Sequence, residues 1–347
     1  MLPGPSVATI AGGVAVGARV SVHRGKTTTI QDLPVWDVTV DATVERNVQR
    51  QVSFTCSSEH VPSNPLDPLN NYGHRVHVWQ VVETPAGKRS EVDLGWFLVE
   101  SWEEQPDEGT MTVEAVDLLR LVETDVAAWP SSPPKNQTLS AEVQRLAGKT
   151  LAVVFSGKSN PKVDSELQFQ TDRLANLADL CAAYSLGFRM RPDGYLHVYP
   201  FTSDIVGTYS AADLIVDAPR ESVERKPNRF LAVGSKSEGQ NKETKWSFEA
   251  KTTTEPFGAS YGVVRERIEV QSATNQKMVT AAANDALKKN ISVLGFRSFE
   301  IVPDSRIELG DVLMLKAPDR NVKGRVHAFS LPVDTTDLMR VDVEIIG

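Results

Sequence analysis

Arg24-Gly25-Lys26-Thr27 carries the ending of a phosphate-binding loop, in which backbone N–H groups and a lysine cradle a nucleotide's phosphates. That pattern needs a glycine at position 20, where Val20 stands, and the flanking residues alternate as a strand. Lys26 therefore reads as a solvated loop residue. The six histidines are His23, His60, His74, His77, His197 and His327. None forms a helical pair around a glutamate, and no cysteine lies near enough in sequence to suggest a zinc cluster. His74 and His77 are three apart, which on a strand puts them on opposite faces and argues against joint ligation. Carboxylates cluster at Glu103-Glu104 with Asp107-Glu108, and at Asp41 with Glu45. A glycosidase needs two carboxyls held across a cleft, one with its pKa raised by burial. The first cluster sits beside Pro106 and Gly109 in what reads as an exposed turn, and solvation explains it. Gly234-Ser235-Lys236-Ser237-Glu238-Gly239 lacks the strand-to-helix elbow that exposes a serine nucleophile, and reads as a polar loop. These residues imply no cofactor, no metal and no catalytic centre.

With 37 basic against 45 acidic residues the formal charge is −8, and no basic run is long enough to track a phosphate backbone. Direct nucleic-acid binding is not expected, although an acidic wall around a DNA channel is compatible, since repulsion prevents sticking. Cys56 and Cys181 are the only cysteines and both sit in apolar patterns, so they read as buried free thiols of a cytosolic folding compartment. Met1-Leu2-Pro3-Gly4-Pro5 has no basic leader region. Val7 to Val20 is broken by Gly12, Gly13 and Gly17 and is too weak for a membrane span, so no membrane anchor is expected.

The elements that would position any site are mostly strands. From Arg19 to about Val113 the apolar period is two: Trp36, Val38 and Val40, then Val52, Phe54 and Cys56, alternate with polar neighbours. Asn64-Pro65-Leu66-Asp67-Pro68-Leu69-Asn70-Asn71-Tyr72-Gly73 is too rich in Pro and Asn for a helix or a central strand. It reads as an ordered crossover into the strand from His74 to Val82. Thr84-Pro85-Ala86-Gly87-Lys88 turns the chain into the strand holding Gly95-Trp96-Phe97-Leu98-Val99-Glu100. After Asp117 the character changes. Leu118–Val122 and Leu139–Leu146 read as short helices, the second capped by Ser140, around the rigid connector Trp129-Pro130-Ser131-Ser132-Pro133-Pro134. A clearer helix starts at the cap Asp172, buries Leu174, Leu177, Leu180, Cys181 and Tyr184 as one stripe, and ends at Gly187. A hairpin turns at Pro192-Asp193-Gly194. Beyond Val206 strands are expected at Phe230–Gly234, Trp246–Ala250, Ser298–Val302, Val312–Lys316, Arg325–Leu331 and Met339–Ile346. One helix is expected from Asn275 to Lys289, and a tight turn at Glu308-Leu309-Gly310-Asp311.

The expected fold is mainly β with an α+β insert, two small barrel-type modules flanking an α+β module. The boundaries are an N-terminal arm at 1–18, a first barrel at 19–118, an insert at 119–204 and a second barrel with one helix at 225–347. The stretch 205–222, around Thr208 to Asp217, is expected to return and complete the first barrel. The aromatics give a further hint. Trp96 and Phe97 point to opposite faces of one strand, so one of them faces outward, either under the middle module or at a subunit interface. Pro65, Leu66, Pro68, Tyr72, Trp79 and Trp96 are the candidate subunit interface.

This order of motifs resembles the tail hub family (baseplate hub or minor tail proteins) of long-tailed phages. In the first module the resemblance rests on Asn64–Gly73 and Gly95–Glu100. In the middle it rests on Asp172-Arg173-Leu174-Ala175-Asn176-Leu177-Ala178 and the Arg191–Gly194 hairpin. In the third it rests on Thr254-Glu255-Pro256-Phe257-Gly258, the helix from Asn275 and Leu309–Leu313. The sequence looks most like siphophage proteins of actinobacterial hosts. The resemblance implies a structural virion protein and not an enzyme. Two related barrels per chain would let a homotrimer form a pseudo-sixfold ring that adapts a sixfold tail tube or distal tail ring to a threefold tip. It implies as partners the distal tail protein ring, the tape-measure protein's C-terminus and tail-tip or fibre proteins, with DNA only in transit through the channel. It places the protein in the phage tail tip, and in host cytoplasm during assembly. Two alternatives stand beside it. A tail-associated hydrolase would draw a carboxylate pair from Asp37, Asp41, Asp93 and Glu100. A carbohydrate- or receptor-binding tail-tip protein would present an exposed row of Trp and Tyr, which burial of Trp79 and Trp96 would oppose.

Overall fold

Alternating apolar residues build the first seven strands of a computed structural model that describes residues 1–219, 226–237, 243–270, 273 and 275–346. A single-turn helix α1 (Val7–Ala11) precedes β1 (Ala15–Arg24), β2 (Thr27–Leu33), β3 (Trp36–Thr43), β4 (Arg50–Ser57), β5 (His74–Glu83), β6 (Arg89–Gln105) and β7 (Thr110–Asp117). Val38, Val40, Val52, Phe54 and Cys56 point into the core, as the period of two predicts. The first residues do not form the expected arm. Leu2 and Ile10 are buried in that same core, and the Leu2 N–H donates to the Arg306 carbonyl at 2.7 Å. Arg24 to Thr27 is the two-residue turn of the β1–β2 hairpin, with Gly25 at φ 60°.

The insert carries α2 (Arg120–Thr124), α3 (Leu139–Ala147), β8 (Val153–Phe155), α4 (Arg173–Ala183), β9 (Leu186–Met190) and β10 (Leu196–Pro200). Its three strands pair in the order β8-β10-β9 beside a separate apolar cluster. Asp172 caps α4 as expected, its carboxylate accepting from the Ala175 N–H at 2.9 Å. Two other assignments need correction. Ser140 lies inside α3, whose cap position is Thr138, and the Ser140 N–H is met instead by Asn160 Oδ1 at 2.9 Å. Gly187 lies in β9, where a Cβ would come within 2.9 Å of the Tyr199 ring; close packing requires the glycine there.

The rest of the chain forms β11 (Gly207–Ser210), β12 (Ile215–Asp217), β13 (Arg229–Ser237), β14 (Glu243–Lys251), β15 (Arg265–Glu269), α5 (Gln276–Ser292), β16 (Val293–Ile301), β17 (Val312–Lys316), β18 (Asn321–Pro332) and β19 (Met339–Ile346). The β14-β13-β15 sheet packs under α5 through a core of small side chains, Ala232, Ala250, Ala283 and Val279. Gly234–Ser237 belongs to β13 rather than to a polar loop; Glu238 and Gly239 lie outside the described residues. Residues 207–217 join the C-terminal strands and not the first module. Thr208 pairs with Met314, and Ile215 with Ile301.

A thirteen-stranded sheet runs through both β-regions, in the order β12-β16-β19-β18-β3-β4-β7-β6-β5-β1-β2, with β17 beside β18 and β11 beside β17. Its two ends repeat one plan. The strands β2, β3, β4, β5, β6 and β7 recur, in chain order and direction, as β11, β12, β16, β17, β18 and β19, and only β1 is extra. Even the irregularities correspond. The register of the long strand slips between Val99 and Ser101 in β6, and between Val326 and Ala328 in β18. On this correspondence Ser53-Phe54, opposite Glu114 and Val113, matches Ser298-Phe299, opposite Asp342 and Val341. Among the described residues no ladder closes either module into a barrel; β2 meets β3 through Pro34 and Val35, and β11 meets β12 through residues 211–214. The α+β insert sits between the two copies of the plan, and the β13–α5 unit is spliced into the second.

Phe54 and Phe299 are both fully buried at matching positions. Phe54→Ala and Phe299→Ala should each cost about 3–5 kcal/mol, by lost burial plus the cavity left behind, read as a lowered urea midpoint.

Candidate subunit interface and its support

The six candidate interface residues divide into two groups. The loop between β4 and β5 is held rigid from within. The Asp67 carboxylate accepts from the Asn64 N–H at 2.8 Å and the Ser63 N–H at 2.9 Å, which holds it below the usual carboxylate range. Asn70 Nδ2 donates to the Asn64 carbonyl, and Leu69, at φ 65°, is plugged into the main core. This frame presents Pro65, Leu66 and Tyr72 to solvent, with Leu66 62% and Tyr72 66% exposed and Pro68 half-buried. An ordered loop with bare apolar tips loses little entropy on docking.

Trp79 and Trp96 are occupied within the chain. His77 lies between them, 3.7 Å from the Trp79 ring and 4.1 Å from the Trp96 ring, while Arg19 covers Trp79 at 3.7 Å. His23 meets the Trp96 edge, and Asp93 fixes His77 at 2.7 Å. Phe97 points into the main core, whereas Trp96 packs against the insert, beside Gly194 of the β9–β10 turn. The outward aromatic of β6 is therefore the support of the middle module. His74 is buried on the other face of β5 from His77, as their spacing predicts.

The carboxylates of the hydrolase reading are dispersed in role. Asp93 is held by His77 and the Gly95 N–H, and Glu100 by Arg120 at 2.5 Å. Asp37 and Asp41 lie on β3. A cavity of about 260 Å³, lined by Ala211, Ile215, Val216, Asp217, Ala218, Pro318 and Asp319, contains none of the four. Cys56 and Cys181 are buried free thiols, and burial pushes them up to about 11 and about 12.

The strongest polar cluster was not legible as a unit in the sequence. Arg189, on β9, donates to Glu308 Oε2 at 3.0 Å and to the Leu309 carbonyl at 2.5 Å, and Arg191 Nε lies 3.4 Å from Glu308 Oε1. Asp311 lies 3.5 Å from Arg189, and burial raises its pKa against that attraction. The Tyr199 hydroxyl donates to the Leu309 carbonyl, and a Cβ on Gly310 (φ 81°) would meet it at 2.7 Å. The insert is thus clamped to the β16–β17 turn by charge that has little water to fall back on. The only outward signals were two arginines at i, i+2 around the end of β9 and an acid at each end of Glu308–Asp311.

A second link joins the modules at the surface. His327 Nε2 is 3.1 Å from Glu45 of the β3–β4 turn, and its Nδ1 is 3.4 Å from Glu344 of β19. Glu344, then Glu45, raise the His327 pKa against partial desolvation.

Two outcomes follow. Arg189→Met leaves Glu308 to Arg191 and the Met1 amine, and Asp311 to the Met1 amine at 3.0 Å, so it should cost about 1.5–3 kcal/mol and speed proteolysis at the insert boundaries. Because the folded His327 pKa is raised, its contribution is full below the unfolded value of about 6.5 and fades as pH rises through the elevated one. The stability gap between wild type and His327→Gln should therefore be widest in mild acid and close in alkali, as read by thermal melts across pH.

No protein-family profile matches the chain, and no curated protein matches it in sequence. Solved structures do match its fold. A tail protein from Neisseria meningitidis aligns with a TM-score of 0.62 at 14% identity, over 95% of this chain and 97% of that one. A 43 kDa prophage tail protein from Shewanella oneidensis gives 0.64 at 11% identity, over 94% and 98%. A prophage tail protein from Listeria monocytogenes gives 0.55 at 11% identity, over 94% of each chain. The chain shares, along nearly its whole length, the mainly β fold of these phage tail proteins.

Proposed function

We propose that this chain is a structural part of a phage tail, the hub at its distal end, where three copies form a ring with pseudo-sixfold symmetry around the DNA channel. The carrying observation is the repeated strand plan. Two modules of one design, locked side by side by the β3–β18 ladder, are what a threefold assembly needs to present six similar lobes to a sixfold tube. The shared fold with prophage tail proteins supports the same reading.

The sheet's outer face suits a DNA conduit. Asp41 pairs with Ser330, Ser330 with Arg340, and Arg340 with Glu300, all on the face opposite the buried Val40 and Phe299. Asp342, Glu344 and Glu114 share this face with Arg325, Lys323 and Lys316, so its charge is mixed with the acids in slight excess, which gives a passing phosphate backbone no basic track to hold. Partners in this role are the distal tail ring, the tape-measure protein's C-terminus and tail-tip or fibre proteins. The siphophage type and an actinobacterial host rest on the sequence motifs alone. The hydrolase and receptor-binding alternatives are less well supported: Asp93 is hydrogen-bonded to His77, Glu100 is paired with Arg120, and Trp79 and Trp96 are stacked.

Mass photometry of the purified protein tests the assembly. A species at three times 38.0 kDa, with no retention on DNA at physiological salt, is expected. A strictly monomeric protein that binds DNA would contradict the ring and its DNA channel together.

A further inference from the structure

The β14-β13-β15 sheet has two unlike faces. One lies under α5 and buries Ala232 and Ala250. The other carries the alternate residues of each strand. On its successive rungs Arg229 stands between Lys251 and Arg265, Leu231 between Glu249 and Arg267, and Val233 between Ser247 and Glu269. Ser235 faces Lys245 on the next rung. Ion pairs within the face agree with this placement: Glu249 lies 3.2 Å from Arg229 and 2.6 Å from Arg265, and Arg267 lies 3.1 Å from Glu269. Five basic residues against two acids give these rungs a charge of +3, in a chain whose formal charge is −8. Lys245, Lys251, Arg265 and Arg267 are all exposed.

Charge alone would make this a solvated surface. Its middle strand says otherwise. Leu231 and Val233 are half-buried on the central strand and, among the described residues, pack against none of the three apolar cores. Apolar side chains flanked on both sides by charge have the anatomy of a protein interface, a dry centre inside a polar rim. The sign of the rim selects the partner, because complementary charge steers encounter and like charge rejects it. A phosphate chain would meet the basic residues but has nothing to set against Leu231 and Val233, and Glu249 and Glu269 stand in its path.

We propose that this outward face of the β14-β13-β15 sheet docks on a different protein, one whose surface offers carboxylates around an apolar spot. The contact is separate from the ring reading and needs no pairing of the chain with itself.

Fluorescence anisotropy on the full chain tests it with three labelled probes: an amphipathic helical peptide whose leucine stripe is flanked by glutamates, a short DNA duplex, and inorganic polyphosphate. The peptide should bind. Binding should weaken roughly ten-fold or more when Arg265→Glu and Arg267→Glu are combined on β15, and likewise when Lys245→Glu and Lys251→Glu are combined on β14. Leu231→Asn should weaken the peptide too, because it wets the centre of the contact. Unchanged thermal melts of the two charge variants separate lost docking from lost folding. DNA or polyphosphate bound more tightly than the peptide, with no effect of Leu231→Asn, would overturn the proposal in favour of a phosphate-bearing partner. Self-association of the wild type that both charge variants abolish would overturn it in favour of a second copy. Failure of the peptide to bind would overturn it outright.

Discussion

The ladder between β3 and β18 is the constraint on which the architecture depends. It pairs Thr39–Thr43, near the start of the chain, with Ala328–Pro332, near its end, and thereby merges two copies of a strand plan into one sheet. Closing a loop of that length is entropically costly, although the cost grows only with the logarithm of loop length. The return is a continuous apolar layer: Val40, Val52, Phe54, Phe299, Phe329 and Val341 share one core that neither module could complete alone. Secondary links reinforce the joint, among them the Val38–Asp334 hydrogen bond, Gln80 Nε2 on the Val333 carbonyl at 3.0 Å, and the His327–Glu45 pair.

The insert is attached by different physics. Its own core is separate, and it meets the β-body through apolar contacts that include Trp96 and Leu98 and through ionic ones that include Arg120 on Glu100. Trp96 rests against the β9–β10 turn, and Arg189 with Arg191 reaches Glu308 and Asp311. A buried ionic clamp adds little net stability over an apolar joint, but it penalises alternative docking angles, because a slip strips Glu308 of both arginines and leaves the acids to the Met1 amine alone. That fixes the insert's orientation relative to the two β-modules.

Much of this was legible in the sequence where the cause is local. Period-two alternation located β3 and β4, Asp172 marked the start of α4, and Pro192-Asp193-Gly194 marked its hairpin, because each signal lies within a few residues of its effect. What stayed hidden is set by distant neighbours. The three- and four-residue strands β12 and β11 have no periodicity to read; their identity comes from β16 and β17, about a hundred residues later. For the same reason residues 207–217 seemed to belong to the first module. Gly187 looked like a helix stop and is instead a clearance for Tyr199. The repeat itself is faint in sequence, with Ser53-Phe54 and Ser298-Phe299 among its few shared letters, since hydrogen-bond register rather than side-chain identity defines it. Of the interface candidates, Leu66 and Tyr72 are exposed as an apolar loop tip in a Pro/Asn crossover should be, while Trp79 and Trp96 are taken up by His77, which no spacing rule would pair with both.

The central claim, that two copies of one strand plan per chain build a ring, is tested most directly by cryo-electron microscopy of the assembled protein reconstructed without imposed symmetry. The account expects six similar β-lobes around an open channel, with three inserts at alternate positions on the rim. A twofold dimer, or a trimer whose β-modules do not form one ring, would contradict it.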